Sequence, residues 1–410
     1  MMTQLSEPLR LRSGAVLPNR IAKAAMEELL AEPGQLPGDA LTTLYRRLAA
    51  GGAGLLITGH VMIDRRAVAQ PGDVVLEQNT PLAPFRDWAA AGQSAGGQVW
   101  MQINHPGRVV PKDLARTTWA PSAVPIDVGG LSGMYPTPRA MTALEIDETV
   151  ERFAVTARRA REAGFDGVEI HAAHGYLLSQ FLSPLVNRRD DRWGGGLPDR
   201  ARLLLDVVAA VRERAGTGFA VAVKLNSADF QRGGFDSDDA RDVIKMLADV
   251  GADLVELSGG SIESLAAAGF PADGRTLARE AYFLALAEQL LATSPLPLML
   301  TGGIRRRAVA QQVIDSGVDV AGVATALAIA PALPGQWLAG RDTGAEPPRT
   351  RLRNKTLAAA AVQALTSRRL ARLGRGKSSR PPYSPAVALV LERLVRGRRR
   401  RGYLKWRRPA

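Results

Sequence analysis

The chain has 410 residues, 46% of them hydrophobic, enough for one large core plus an extension, and its lack of cysteine excludes disulfides, thiolate metal sites and thiol nucleophiles. The net charge of +13 is uneven: residues 341–410 hold 20 Lys/Arg against 3 Asp/Glu, and the rest of the chain 33 against 37, so a mildly acidic body carries a strongly basic tail. That asymmetry excludes reading the overall charge as nucleic-acid binding. No uncharged run approaches the ~20 residues of a membrane span, and the first residues lack a signal-peptide core, so the expectation is a cytoplasmic protein.

In chain order, LRLRSGAVL at residues 9–17 predicts a hairpin turning at Ser13-Gly14. A strand–helix alternation then begins. Strands are expected at Arg20–Ala24, Gly54–Thr58, Gln98–Ile103, Gly167–Ile170, Ala220–Lys224, Leu254–Leu257, Leu298–Thr301 and Val318–Val323. Most are short, apolar and non-alternating, as strands covered on both faces should be. LTTLYRRLAAGG, VERFAVTARRAREAGF, ARLLLDVVAAVRERAG and DDARDVIKMLADVGA carry apolar residues at three- and four-residue steps and stop at or near glycine, which predicts helices.

One unit recurs where helix gives way to strand: AAGGAGLLIT, REAGFDGVEI, ADVGADLVEL and IDSGVDVAGV. The repetition favours a (β/α)8 TIM barrel over a doubly wound open sheet. Two strand-to-helix loops, Asn104–Thr142 and His171–Asp199, are long, and in a barrel such loops lie on the face that carries chemistry. After the barrel, LAAAAVQALTSRRLARLGRG and PAVALVLERLVRGRRRRGYLKW read as two amphipathic helices. The expected division is residues 1–340 as the barrel domain and 341–410 as a basic helical extension.

The expected strand ends supply the candidate chemistry. They carry Ala25, Met26 and Glu27; Gly59 and His60; Gln102; His171, His174 and Tyr176; Lys224; Thr301-Gly302-Gly303; and Ala324-Thr325. The two glycines before a helix suit either a phosphate or a tight turn needing positive φ. The histidine pair lacks HExxH spacing, so a metal is not expected. Two imidazoles could instead donate to one carbonyl oxygen with Tyr176 as general acid; the plainer alternative is two core histidines bonded to backbone carbonyls.

PNRIAKAAM, GGQVWMQINHPGR, AGFDGVEIHAAHGYLLSQFLSPLVNRRDDRWGG, VAVKLNSADF and LMLTGGI together resemble the old yellow enzyme family of FMN-dependent NAD(P)H oxidoreductases, from about Leu9 to Gly340. The resemblance implies FMN as cofactor and NADH or NADPH as hydride donor. Backbone at Ala24, Ala25 and Met26 would touch the flavin ring, with Glu27 and Gly59 at its edge. Gln102 would pair with the pyrimidine, Lys224 would stabilise reduced flavin, and Gly302, Gly303, Ala324 and Thr325 would surround the phosphate. His171 and His174 would hold the carbonyl of an α,β-unsaturated substrate, and Tyr176 would protonate it. The opposing possibility is a weakly flavinated or non-catalytic binding protein.

Three residues depart from the family pattern. Glu27 stands where Thr or Cys is usual, His60 where a small residue is common, and Thr325 where an arginine usually meets the phosphate; Arg305, Arg306 and Arg307 are candidates to compensate. The partner expected is a small unsaturated carbonyl compound, with a homo-oligomer allowed. The tail is expected to dock on the barrel or a partner subunit with its arginines facing water, the rival being contact with an anionic membrane or nucleic acid.

Overall fold

The computed structural model describes residues 4–264, 280–281, 283–346, 348, 350, 352, 354–381 and 383–407. Eight parallel strands carry the fold: β1 (Ile21–Lys23), β2 (Leu55–Ile57), β3 (Gln98–Asn104), β4 (Gly167–Ala172), β5 (Ala220–Asn226), β6 (Leu254–Ser258), β7 (Leu298–Thr301) and β8 (Val320–Val323). Each pairs with the next, β8 pairs with β1, and the ring is closed. This is the (β/α)8 barrel that the alternation predicts.

Closure sorts the side chains into two sets. Outward residues such as Leu56, Val99, Ile103, Val168, Val223, Leu257 and Val323 pack against the surrounding helices. Inward residues Ala22, Leu55, Ile57, Trp100, Ala220, Ala222, Leu254, Met299 and Val320 fill the lower lumen, where Leu9, Leu11 and Leu17 of the hairpin join them. The hairpin, which pairs Leu9 with Leu17, therefore plugs one end of the barrel. Higher up, the lumen becomes polar: register sets Gln102 beside Glu169, and His171, Lys224 and Glu256 side by side.

Besides two short helices, Leu177–Leu182 and Thr325–Ile329, the α-helices among the described residues are α1 (Asp39–Ala49), α2 (Ala83–Gln93), α3 (Ala143–Glu162), α4 (Leu197–Ala215), α5 (Ser237–Asp249), α6 (Leu284–Leu291), α7 (Arg307–Asp315), α8 (Leu333–Leu338), α9 (Lys355–Leu373) and α10 (Pro385–Trp406). Thr142 and Glu145 form a reciprocal capping box at the start of α3, and the Asp236 side chain accepts from two backbone N–H groups at the start of α5. The recurring helix-to-strand unit has one physical cause. Gly52, Gly164, Gly251 and Gly317 adopt φ of 88°, 89°, 90° and 99°, a left-handed turn that glycine makes without a Cβ clash.

Two features depart from the expectations. After β2 the chain bends at Thr58–His60 and returns to β3, pairing Val61 with Ile103 and Met62 with Asn104; Val74–Val75 then pairs with Val61–Met62. This extra wall comes from two-residue strands, too short for a pattern of side chains to announce. The tail arginines do not all face water. Arg396 forms a bidentate pair with Asp113, Arg400 donates to the Asp113 carbonyl, and Arg407 donates to the Leu114 carbonyl. Only one face of a helix can meet solvent once the other is docked, so arginines spread around α10 divide between the two.

The docking itself is apolar. Tyr403 is fully buried among Met62, Val68, Ala69, Val75, Val110, Leu114 and Ala115, and its hydroxyl donates to the Arg65 carbonyl. Tyr176 borders the same cluster. The α9 residues Leu370, Ala371 and Leu373 enter the main core, and Arg47 on α1 donates to the carbonyls of Leu373 and Lys377. No helix among the described residues is long and apolar enough to cross a membrane.

Candidate active site

The polar upper lumen begins with an ionic layer. Lys224 Nζ lies 2.5 Å from Glu256 Oε1, and Gln102 Nε2 donates to Glu169 Oε1 at 2.6 Å. Burial pulls Lys224 toward neutrality, yet the adjoining Glu256 and Glu169 carboxyls outweigh it and hold the ammonium charged. Burial also pushes up both carboxyls, but Lys224 reverses this for Glu256, drawing it down to about 2. Glu169 stays well above the usual carboxylate range because it is buried and faces the Glu256 charge. The layer thus sets a charged lysine against the Glu256 carboxylate, with Glu169 biased toward its neutral form. Glu169 and Glu256 escaped the sequence reading because each sits inside an apolar strand, where only the closed register shows which way it points.

Above this layer lie the histidines. His171 belongs to β4 itself, so that strand runs further than the sequence pattern suggests. Its Nδ1 accepts from the Ala173 N–H at 3.2 Å, which fixes the neutral ring with Nε2 carrying the proton. His174 follows in a left-handed conformation, φ 61°, uncommon for a residue with a side chain. The Asn226 side-chain oxygen accepts its N–H at 3.2 Å, and its Nε2 lies 2.8 Å from the Ser258 hydroxyl. The two rings sit 5.1 Å apart and nearly perpendicular. Burial first, then neighbouring cations, keeps His171 well below its ordinary pKa and lowers His174 to about 3. Both are held neutral at pH 7, with one N–H each to donate.

The Tyr176 ring is 4.9 Å from that of His171 and 5.5 Å from that of His60. Burial, together with the charges of Glu27 and Asp73, raises its hydroxyl well above the ordinary tyrosine pKa. A protonated phenol beside two imidazole donors can deliver a proton to a carbon whose carbonyl those imidazoles hold. His171, His174, Tyr176, Gln102 and Lys224 therefore converge on the barrel mouth, as the sequence expectation requires for one site.

Glu27 and His60 take places of their own. The Tyr176 hydroxyl donates to Glu27 Oε1 at 3.2 Å, and His60 Nε2 is 3.5 Å from both Glu27 Oε1 and Asp73 Oδ1. Asp73, on the loop before the Val74–Val75 strand, has no sequence signal beyond its carboxylate. Ala24 is buried at the end of β1, with Ala25 and Met26 partly exposed after it. The Gly59 N–H donates to the Glu28 carboxylate, and a Cβ at Gly59 would strike that carboxylate and the Met26 carbonyl.

Gly302 and Gly303, at φ 146° and 75°, turn the chain between β7 and α7, where barrels commonly receive phosphate. Thr325 is exposed and opens the short helix Thr325–Ile329 after Ala324. The candidate compensating arginines are committed elsewhere: Arg305 and Arg306 share the Glu280 carboxylate, and Arg307 donates to the Trp337 carbonyl. An amide and an ammonium near the top of the lumen, small residues after β1 and a left-handed glycine pair after β7 form a donor set that fits a flavin mononucleotide.

Comparison with known proteins agrees with this geometry. Residues 4–343 match the model of the NADH:flavin oxidoreductase / NADH oxidase family. The chain is 36% identical to the NADH-dependent flavin oxidoreductase iliE of Neonectria sp. (strain DH2), covering 80% of this chain but only 46% of that protein. It is 35% identical to the iliE protein of Hypocrea jecorina (strain QM6a), covering 80% and 87%. Among solved structures, the old yellow enzyme homologue from Zymomonas mobilis superimposes with a TM-score of 0.71 at 26% identity, covering 83% of this chain and 94% of that one.

Proposed function

The chain belongs to the NADH:flavin oxidoreductase / NADH oxidase family, and from that premise we propose that it is an FMN-dependent reductase of an activated C=C bond, using NADH or NADPH as hydride donor. The observation that carries the reading is the cluster of His171, His174 and Tyr176 at the mouth of the barrel, where the His171 ring centroid lies 5.1 Å from that of His174 and 4.9 Å from that of Tyr176.

FMN, when bound, supplies hydride chemistry between the nicotinamide and the unsaturated substrate. The chain's own residues do the rest. Gln102 and Lys224 would orient the cofactor's pyrimidine edge, backbone at Ala24–Met26, with Glu27 and Gly59 beside it, would border the ring, and Gly302, Gly303, Ala324 and Thr325 would hold the phosphate. The His171 Nε2–H and a His174 N–H bind the carbonyl oxygen of an enone or enoate, drawing electron density away from Cβ. Tyr176 then gives its proton to Cα. The residues before 341 would do this chemistry, with α9 and α10 of the basic extension docked against the barrel.

The purified protein tests the reading. Flavin absorbance near ~450 nm that bleaches with NADH and returns on adding an enone is the expected result. A colourless protein that takes up no added FMN would overturn it and favour a binding protein instead. His171→Ala/His174→Ala is expected to abolish binding of phenolic ligands while FMN stays in place.

A further inference from the structure

We infer that Glu27 and His60 form a proton relay that recharges Tyr176, with Asp73 anchoring its far end. The inference rests on the reading of Tyr176 as the acid and goes beyond it, to where the acid's own proton comes from.

The geometry is continuous. Tyr176 Oη to Glu27 Oε1 is 3.2 Å, Glu27 Oε1 to His60 Nε2 is 3.5 Å, and His60 Nε2 to Asp73 Oδ1 is 3.5 Å. His60 Nε2 is buried between two carboxylates, 3.5 Å from each, at the outer limit of hydrogen bonding. A small rotation of the imidazole tightens either contact, as a group that passes a proton requires. The opposite ring nitrogen lies 3.2 Å from the Asn104 amide. That amide can give an N–H to neutral Nδ1 or, turned over, its oxygen to Nδ1–H, so either protonation state of His60 is served.

The surroundings support a group that changes charge. Burial raises Glu27 above the usual carboxylate range despite the opposing pull of His60. Burial lowers His60, but Asp73, Glu27 and Glu28 together outweigh it and hold the imidazole above its ordinary value. The other charged or titratable groups facing the relay are Tyr135, which feels both Glu27 and Arg396, and Arg399 and Tyr403, which feel Asp73. His171 faces His60 from β4. Glu27 keeps a quarter of its side chain open to solvent, whereas His60 and Asp73 are closed off, so protons enter at the carboxyl.

Each step balances without moving an electron. The Tyr176 O–H bond breaks as the new Cα–H bond forms, leaving a tyrosinate. The Glu27 carboxyl proton passes to that oxygen, and Glu27 is reprotonated by the His60 imidazolium or directly by water. His60 recovers its proton from solvent through the same carboxyl.

The test separates the first turnover from those that follow in the FMN-loaded protein. Stopped-flow reoxidation of reduced enzyme by 2-cyclohexenone and steady-state turnover with NADH are compared in wild type, Glu27→Gln, His60→Gln and Tyr176→Phe across pH 5–9. The expected result for Glu27→Gln is single-turnover reoxidation near wild type, because Tyr176 begins protonated, with steady-state turnover about tenfold or more slower. In Glu27→Ala, added formate or acetate is expected to restore part of the lost rate, which a merely structural carboxylate would not allow. Nitrogen NMR of the four histidines supplies a readout independent of turnover: His60 is expected to stay protonated to higher pH in wild type than in Glu27→Gln. Wild-type steady-state turnover and an unchanged pH profile in Glu27→Gln, with Tyr176→Phe slow, would overturn the relay alone. Wild-type reoxidation in Tyr176→Phe would overturn the proton donor, and the relay with it.

Discussion

Lys224 and Glu256 face each other on adjacent strands, 2.5 Å apart, with 4% and 0% of their side chains exposed. Removing one partner of such a pair strands the other charge in the barrel. Lys224→Met is expected to cost about 3–5 kcal/mol in urea unfolding, and Lys224→Met/Glu256→Gln to recover much of it. A double variant no more stable than the single one would show that the ion pair is not what holds the layer.

Tyr176→Phe keeps the ring against His171 and His60 and removes only the hydroxyl. Reoxidation of the reduced enzyme by an enone is expected to slow by about 10²–10⁴-fold, with reduction by NADH little changed. Rapid-mixing absorbance separates the two.

His105 predicts a pH dependence of stability. It is buried, its Nδ1 accepts from the Gly107 N–H, and burial lowers its pKa to about 4 against 6.5 for an exposed histidine. Between those values the unfolded chain binds the extra proton. The contribution of the neutral ring is therefore full above pH 6.5 and lost as pH falls to 4, by about 3 kcal/mol over the window. His105→Gln is expected to flatten the dependence of the unfolding midpoint on pH across that range.

Tyr403 sets the worth of the docked tail. Tyr403→Ala is expected to cost about 3–5 kcal/mol, because it opens a cavity among Met62, Val75 and Leu114. Tyr403→Phe loses only the bond to the Arg65 carbonyl, about 1 kcal/mol. Thermal unfolding of both variants orders the two effects.

The barrel was legible because buried strands and left-handed glycines leave local marks: Val99 and Val168 sit in apolar runs, and Gly164 and Gly251 close their helices. His171, His174 and Tyr176 were legible as a group because six residues of chain hold all three. Asp73 and Asn104 were not. Each reaches the site through a bend or extra strand pairing, and nothing near either one in sequence says that His60 lies between them. Arg396 misled for a related reason: a run of arginines reads as a solvated face, and only Asp113, 283 residues earlier, turns this one inward.

The docking of α10 carries a consequence for how the molecule assembles. Its anchors join residues 283 and 338 positions apart, Arg396 to Asp113 and Tyr403 to Arg65, separations comparable with the pairing of Ala321 with Ile21 that closes the ring. Contacts that close longer loops repay their entropy later in folding. The wall bordering Tyr176 is thus completed late, together with the closure of the ring itself, and catalytic competence should lag behind the recovery of helical structure when the unfolded chain is returned to native conditions.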